Sequence, residues 1–232
     1  MTSFDRGKMR ILSYSLELFR DRAEAGSLLA AQLLEYKNKQ AVVLGIPRGG
    51  IVVAREVASF LNGEMDIILS HKLRTPGESE LAMGSVSENG YLFLNQDVIR
   101  GIRITRAEIE SEKAQQMAEI QRRVRLFRAV HPKIPLNGRL VIIVDDGIAT
   151  GATTYAAIQA VRAEKPQKLI LAVPVAAEET LYRLVRDVDE LICLESPSGL
   201  MGVGQVYARF DAVTDAEVLE ILKTYRVKDL IG

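Results

Sequence analysis

The chain has 232 residues, with 30 lysines and arginines against 30 aspartates and glutamates, 48% hydrophobic residues and 26% charged ones. That balance sets up no net field to draw in nucleic acid or an anionic membrane, and the mixture is that of a globular protein with chain enough for a sizeable core. One cysteine and two histidines are too few for a structural zinc, no apolar run reaches the length of a membrane span, and the N-terminus lacks the basic–apolar–small layout of a signal peptide. The expected compartment is the cytoplasm.

Residues 1–13 carry too little pattern to place. Ala25, Leu28, Leu29, Leu33 and Tyr36 recur at helical spacing. Ala41–Ile46 reads as a first buried strand, Pro47–Arg48–Gly49–Gly50 as a turn, and Ile51 to Leu61 as a helix. Met65 to Ser70 is a second strand. A long stretch punctuated by glycine follows from His71 to Asn95. Within it Gly84–Ser87 and Tyr91–Leu94, parted by Glu88–Asn89–Gly90, predict a β-hairpin. Thr105 to Val130 is charged and helix-permissive, and Thr105 with Glu108 makes a capping box at its start. Its apolar stripe (Ile109, Met117, Ile120, Val124, Phe127) is too sparse for a coiled coil, so one face is expected in solvent. A strand at Leu140–Val144 then leads to a helix at about 153–164, a strand at Leu169–Pro174, a helix near 177–187 and a strand at 190–194. Cys193, inside that last apolar run, is read as a packing residue. Strands alternating with helices predict an α/β fold with a doubly wound, mostly parallel sheet flanked by helices. With neither repeat nor linker, residues 1–232 are expected to be one domain. Its core spans about 40–195, and a small added lobe comes from about 14–37 and 196–232.

Two turns carry chemistry. At the first, the run Leu140–Val144 ends in Asp145–Asp146, where open α/β sheets bind ligands. Gly147, Ile148, Ala149, Thr150, Gly151, Ala152, Thr153 and Thr154 follow and open a helix, whose backbone N–H groups and hydroxyls favour an anion. A ligand with a diol at one end and a phosphate at the other satisfies both halves, and ribose 5-phosphate has that shape. At the second turn, Gly49 and Gly50 let the backbone approach a ligand, and Arg48 adds a planar charged fork suited to phosphate. His71–Lys72–Leu73–Arg74 heads a long segment of the kind that serves as a lid. His71 itself is as well explained by packing as by a ligand.

These segments together resemble type I phosphoribosyltransferases. The resemblance implies a donor substrate, phosphoribosyl pyrophosphate (PRPP), with Mg²⁺ as cofactor. In that reading Asp145 and Asp146 meet the ribose hydroxyls and, directly or through PRPP and water, the metal. Residues Gly147 to Thr154 line the 5-phosphate end. Pro47, Arg48, Gly49 and Gly50 form the pyrophosphate loop, with a cis peptide expected at Pro47–Arg48. Lys72 and Arg74 contact the leaving pyrophosphate, and a flexible β-hairpin closes over it. Arg48, Lys72, Asp145 and Asp146 are the candidate catalytic residues. The segment Glu80–Val86 resembles an uncharacterised branch of the family. Gly202 to Phe210 resembles the hood over the acceptor, completed by Phe19, Asp21 and Arg22. Tyr207 and Phe210 are expected in the core rather than stacked on an acceptor, and Met201 and Val203 are the weaker acceptor contacts. A homodimer is common in such proteins.

One departure bears on the acceptor. Several purine transferases of the family carry an acid–base Asp where this chain has Ala149, and an alanine moves no proton. The expected activity is therefore transfer of the phosphoribosyl group to an unidentified nitrogenous acceptor. The alternative is a non-catalytic PRPP-binding or regulatory protein of the same fold. PRPP synthesis needs an ATP site and usually a second such domain. Walker and dinucleotide loops fail on residues, since no lysine follows the Gly147–Gly151 segment and no Gly-x-Gly-x-x-Gly follows a strand.

Overall fold

The computed structural model describes residues 7–15 and 17–229. Six strands, β1 (Met9–Ser13), β2 (Val42–Gly45), β3 (Glu64–Ile67), β7 (Leu140–Val144), β8 (Lys168–Val175) and β9 (Glu190–Glu195), form a parallel sheet. Their order across it is β1-β9-β8-β7-β2-β3. The central strands are apolar along their length because helices cover both faces. Alternate residues go to opposite sides. Val43, Ile142, Ile170 and Ile192 face one core with α1 (Arg22–Ala31) and α2 (Gly50–Leu61). Val42, Leu44, Val141, Ile143 and Leu171 face the other with α5 (Ala152–Ala163) and α6 (Glu178–Leu184).

The expected first strand, both βαβ crossovers and the strand at 190–194 are present within a residue or two. The unplaced arm contains β1, which lies at the sheet edge parallel to β9. The expected strand at Met65–Ser70 stops at Ile67, and Ser70 begins β4 (Ser70–Thr75). β4 joins β5 (Glu78–Ser87) and β6 (Leu92–Leu94) in a small antiparallel sheet. The hairpin read from the sequence is its β5–β6 half, and most of the glycine-punctuated stretch from His71 to Asn95 is strand. After a short helix, α3 (Gln96–Ile102), α4 (Arg106–Arg128) carries the capping box at Thr105 and Glu108. Ile109, Ile120 and Phe127 bury one side of α4, which packs on β4 and β5. Cys193 is wholly buried, and that burial pushes its thiol up to about 12. The C-terminal helix is α7 (Asp215–Asp229).

Chain direction places the site. From β2 the chain moves outward to β3, whereas from β7 it moves the other way to β8 and β9. β2 and β7 are neighbours in register, Gly45 beside Val144, and the N–H of Ile46 donates to the carbonyl of Val144 at 3.0 Å. Their C-terminal ends thus open at the point where the sheet order reverses, the place where such sheets form a ligand crevice.

Candidate functional site

Because β2 and β7 are adjacent, the two turns separated by most of a hundred residues emerge side by side. A Cβ on Gly49 would lie 1.8 Å from Asp146 Oδ2, and one on Gly50 would lie 2.9 Å from Asp145 Cα. Only glycine permits this approach. The Pro47–Arg48 peptide is cis, as expected. Arg48 is exposed at the rim, and the N–H groups of Arg48 and Gly49 meet no acceptor among the described residues.

Beside them Asp145 accepts from the N–H of Asp146 at 2.9 Å. Burial, and then the Asp146 charge, hold the Asp145 carboxyl well above the usual carboxylate range. Asp146 has its own cation: Arg22 Nε donates to Asp146 Oδ2 at 2.7 Å. Arg22 is delivered by the start of α1, whose N-cap Asp21 accepts from the N–H of Glu24 at 3.0 Å. Arg22 also donates to the carbonyl of Asp211 at 2.8 Å and lies over the Phe210 ring at 3.8 Å. The Tyr207 hydroxyl donates to the carbonyl of Asp146 at 2.6 Å, and burial pushes that phenol above its ordinary value. Strand-like bonds between Phe19 and residues Val206 and Ala208 tie the two segments together.

The next loop forms a cradle. Among the described residues no acceptor meets the N–H groups of Ala149, Thr150, Gly151, Ala152, Thr153 or Thr154, and the first paired one is Tyr155, to the carbonyl of Gly151 at 2.8 Å. Helix starts leave such groups unpaired, and here the preceding loop adds to them. Gly151 takes φ +75 to make the turn. The back of the loop is braced by Thr180, whose hydroxyl donates to the carbonyl of Ala149 at 2.8 Å. Arg183 braces it too, donating to the carbonyl of Thr150 at 3.1 Å. Gly147 and Ile148 connect cradle and carboxylates, with the N–H of Ile148 donating to the carbonyl of Val175 at 2.8 Å.

Lys72 and Arg74 stand on β4, half-buried and exposed respectively. The backbone N–H of Arg74 donates to Glu112 Oε1 of α4, and the small sheet meets the cradle where Ser70 Oγ donates to the carbonyl of Thr153 at 2.9 Å. His71 packs against α4 with Nδ1 2.9 Å from Gln116 Oε1, and burial lowers its pKa. Tyr207 is buried as expected, but Phe210 is 37% exposed, against the expectation of a core position. It sits outside because Arg22 and Tyr207 use its ring as a lateral wall. Met201 is exposed, and Val203 covers Gly147. Thr180 and Arg183 went unread in the sequence; a Thr and an Arg in an amphipathic helix give no local sign that they brace a distant loop.

A family model described as a phosphoribosyl transferase domain matches residues 20–205, which include both turns and the cradle. The chain belongs to the phosphoribosyl transferase family. Relatives of this transferase domain include proteins of Mycobacterium tuberculosis strains CDC 1551 and H37Rv, provisionally named phosphoribosyl transferases. Each is 43% identical over 207 residues, covering 89% of this chain and 47% of the relative. The chain thus spans about half the length of the curated relatives it matches. The crystal structure of TT1426 from Thermus thermophilus is 42% identical, with a TM-score of 0.77 over 90% of this chain and 99% of that one. The parallel sheet flanked by helices, with its small antiparallel sheet, is the type I phosphoribosyltransferase fold. Among the described residues no helix is long and apolar enough to cross a membrane.

Proposed function

We propose that the domain transfers the 5-phosphoribosyl group of PRPP to a nitrogenous acceptor and releases pyrophosphate. The observation that carries this reading is the junction of three parts: the Arg48–Gly49 turn against Asp146, the carboxylate pair, and the run of N–H groups from residue 149 to 154 that meet no acceptor among the described residues. The cradle takes the 5-phosphate, Asp145 and Asp146 the ribose hydroxyls, and the Pro47–Gly50 turn the pyrophosphate. Arg48, with Lys72 and Arg74 from β4, holds charge that grows on the departing pyrophosphate, and such preorganised stabilisation is usually the largest catalytic contribution.

Mg²⁺ fits this donor set. Among the described residues no group of three or more His, Cys, Asp or Glu side chains could hold a metal. Two carboxylates suit an ion that keeps waters and takes its remaining oxygens from substrate phosphates. When bound, it neutralises charge on the diphosphate. Asp145 and Asp146 are the residues to hold it, directly or through PRPP and water.

The test is release of pyrophosphate from PRPP with Mg²⁺ across a panel of purines, pyrimidines and other nitrogen compounds. Release that depends on one acceptor supports transfer. PRPP binding without release by any acceptor supports the second reading, a PRPP-binding regulator. Ala149 favours that reading, since it leaves its place in the loop without a proton-moving group.

A further inference from the structure

The last strand of the sheet ends on a charge. β9 runs Leu191–Ile192–Cys193–Leu194 into Glu195, which lies in register with Ser13 at the end of β1. Glu195 is only 6% exposed, and its Oε2 meets no hydrogen-bond partner among the described residues. Burial raises its carboxyl above the ordinary value; the Ser13 hydroxyl opposes that rise and the Glu17 charge adds to it. Two arginines of the flanking segments, Arg10 and Arg20, pair instead with Glu190 and Asp21, each at 3.2 Å. A buried carboxylate without a cation is costly, and the fold supplies none among its described residues.

Glu195 lines a cavity of about 350 Å³ at the ends of β1 and β9, beside α1. Glu17 and Glu24 line it too, and no lysine, arginine or histidine does. Its apolar part includes Leu12, Leu18 and Leu28, all three exposed. Single exposed leucines are ordinary, but three gathered at one cavity with a buried carboxylate form a surface of two chemistries. The cavity contains none of the residues assigned to PRPP. It adjoins them through Phe19, which also lines it and packs on the Tyr207 ring at 5.6 Å.

We propose that this cavity is a second binding site, for a small aliphatic amine in its ammonium form. The ammonium balances Glu195, with Glu17 and Glu24 adding to the attraction, and the alkyl chain lies against the leucines. A metal ion is the poorer match, since among the described residues no group of three or more His, Cys, Asp or Glu side chains could hold one. A cavity of this size suits a small molecule rather than a folded partner. No bond is made or broken there, so the site stands independently of phosphoribosyl transfer.

The experiment titrates the protein with three probes of one chain length, n-hexylamine, 1-hexanol and hexanoate, by calorimetry at neutral pH, where the amine is an ammonium. The wild type, Glu195→Gln and Glu17→Gln are compared. The amine is expected to bind the wild type about tenfold or more tighter than the alcohol, and hexanoate not at all. Glu195→Gln brings the amine down to the level of the alcohol. Glu17→Gln, a change at an exposed position that leaves folding intact, removes part of the preference. Without ligand, Glu195→Gln melts no lower than the wild type, because the change removes a buried charge rather than a partner. Equal binding of amine and alcohol, no binding of the amine at millimolar concentration, or a preference that survives Glu195→Gln overturns the proposal. So does a clear fall in the melting temperature of Glu195→Gln, which would assign the carboxylate a structural partner.

Discussion

Gly49 lies so close to Asp146 that a methyl group on it would fall 1.8 Å from the carboxylate oxygen. That contact joins the turn after β2 to the end of β7, and it explains why a glycine stands between Arg48 and the start of α2. The same methyl would meet Arg22 Nε at 2.8 Å, so one substitution disturbs turn, carboxylate and cation together.

Gly49→Ala is expected to destabilise the fold by about 1–3 kcal/mol through overpacking and to abolish stabilisation by PRPP. Urea unfolding with and without PRPP measures both. A variant that keeps its full PRPP response would show that the contact does not shape the site.

Gly151→Ala tests the cradle. At φ +75 an added Cβ costs about 1–2 kcal/mol. It would also lie 2.6 Å from Thr180 Cγ2, displacing the helix that braces the loop. Reduced stability and a weaker PRPP response should appear together in thermal melts. Stability loss with an intact PRPP response would place the phosphate elsewhere.

Thr105→Ala is the matching control. It removes the side-chain half of the capping box on α4, the bond from the N–H of Glu108 to the Thr105 hydroxyl, outside the carboxylate junction, and should cost about 1 kcal/mol. The midpoint of denaturation should fall while the shift produced by PRPP is preserved.

The pH dependence of stability has a source in Glu88. Burial raises its carboxyl above the ordinary value, opposed by Arg128 and Lys133 and reinforced by Asp66 and Glu164. A raised value means that the folded protein keeps this proton after the unfolded chain has lost it. The contribution to stability is therefore full below the unfolded value and declines as pH climbs through the folded one. Glu88→Gln should flatten that decline in denaturation midpoints taken between about pH 4 and pH 7. An unchanged slope would assign it to other groups.

What the sequence makes legible follows from how local each signal is. Leu140–Val144 and its successors announce a buried strand, two carboxylates and a phosphate cradle within a single unbroken stretch ending at Thr154. The Thr105–Glu108 cap is equally self-contained. β1 is different, because its pairing partner β9 comes near the other end of the chain and its residues alternate between half-buried and exposed. β4 was hidden because His71, Lys72 and Arg74 interrupt its apolar positions, leaving Leu73 buried without a clear alternation. The pairing of Arg22 with Asp146 has no local sign at all. It depends on an α1 start and a β7 end that only the assembled sheet brings together.

The central claim is that the junction of these elements binds PRPP. The most direct measurement is the melting temperature with millimolar PRPP and Mg²⁺, in the wild type and in the Asp145→Asn, Asp146→Asn double variant. A ligand present at about 100 times its dissociation constant adds about 2.7 kcal/mol to folded-state stability. A clear rise in the wild type and none in the variant is the predicted result. No shift in the wild type, or an equal shift in both proteins, would contradict the account.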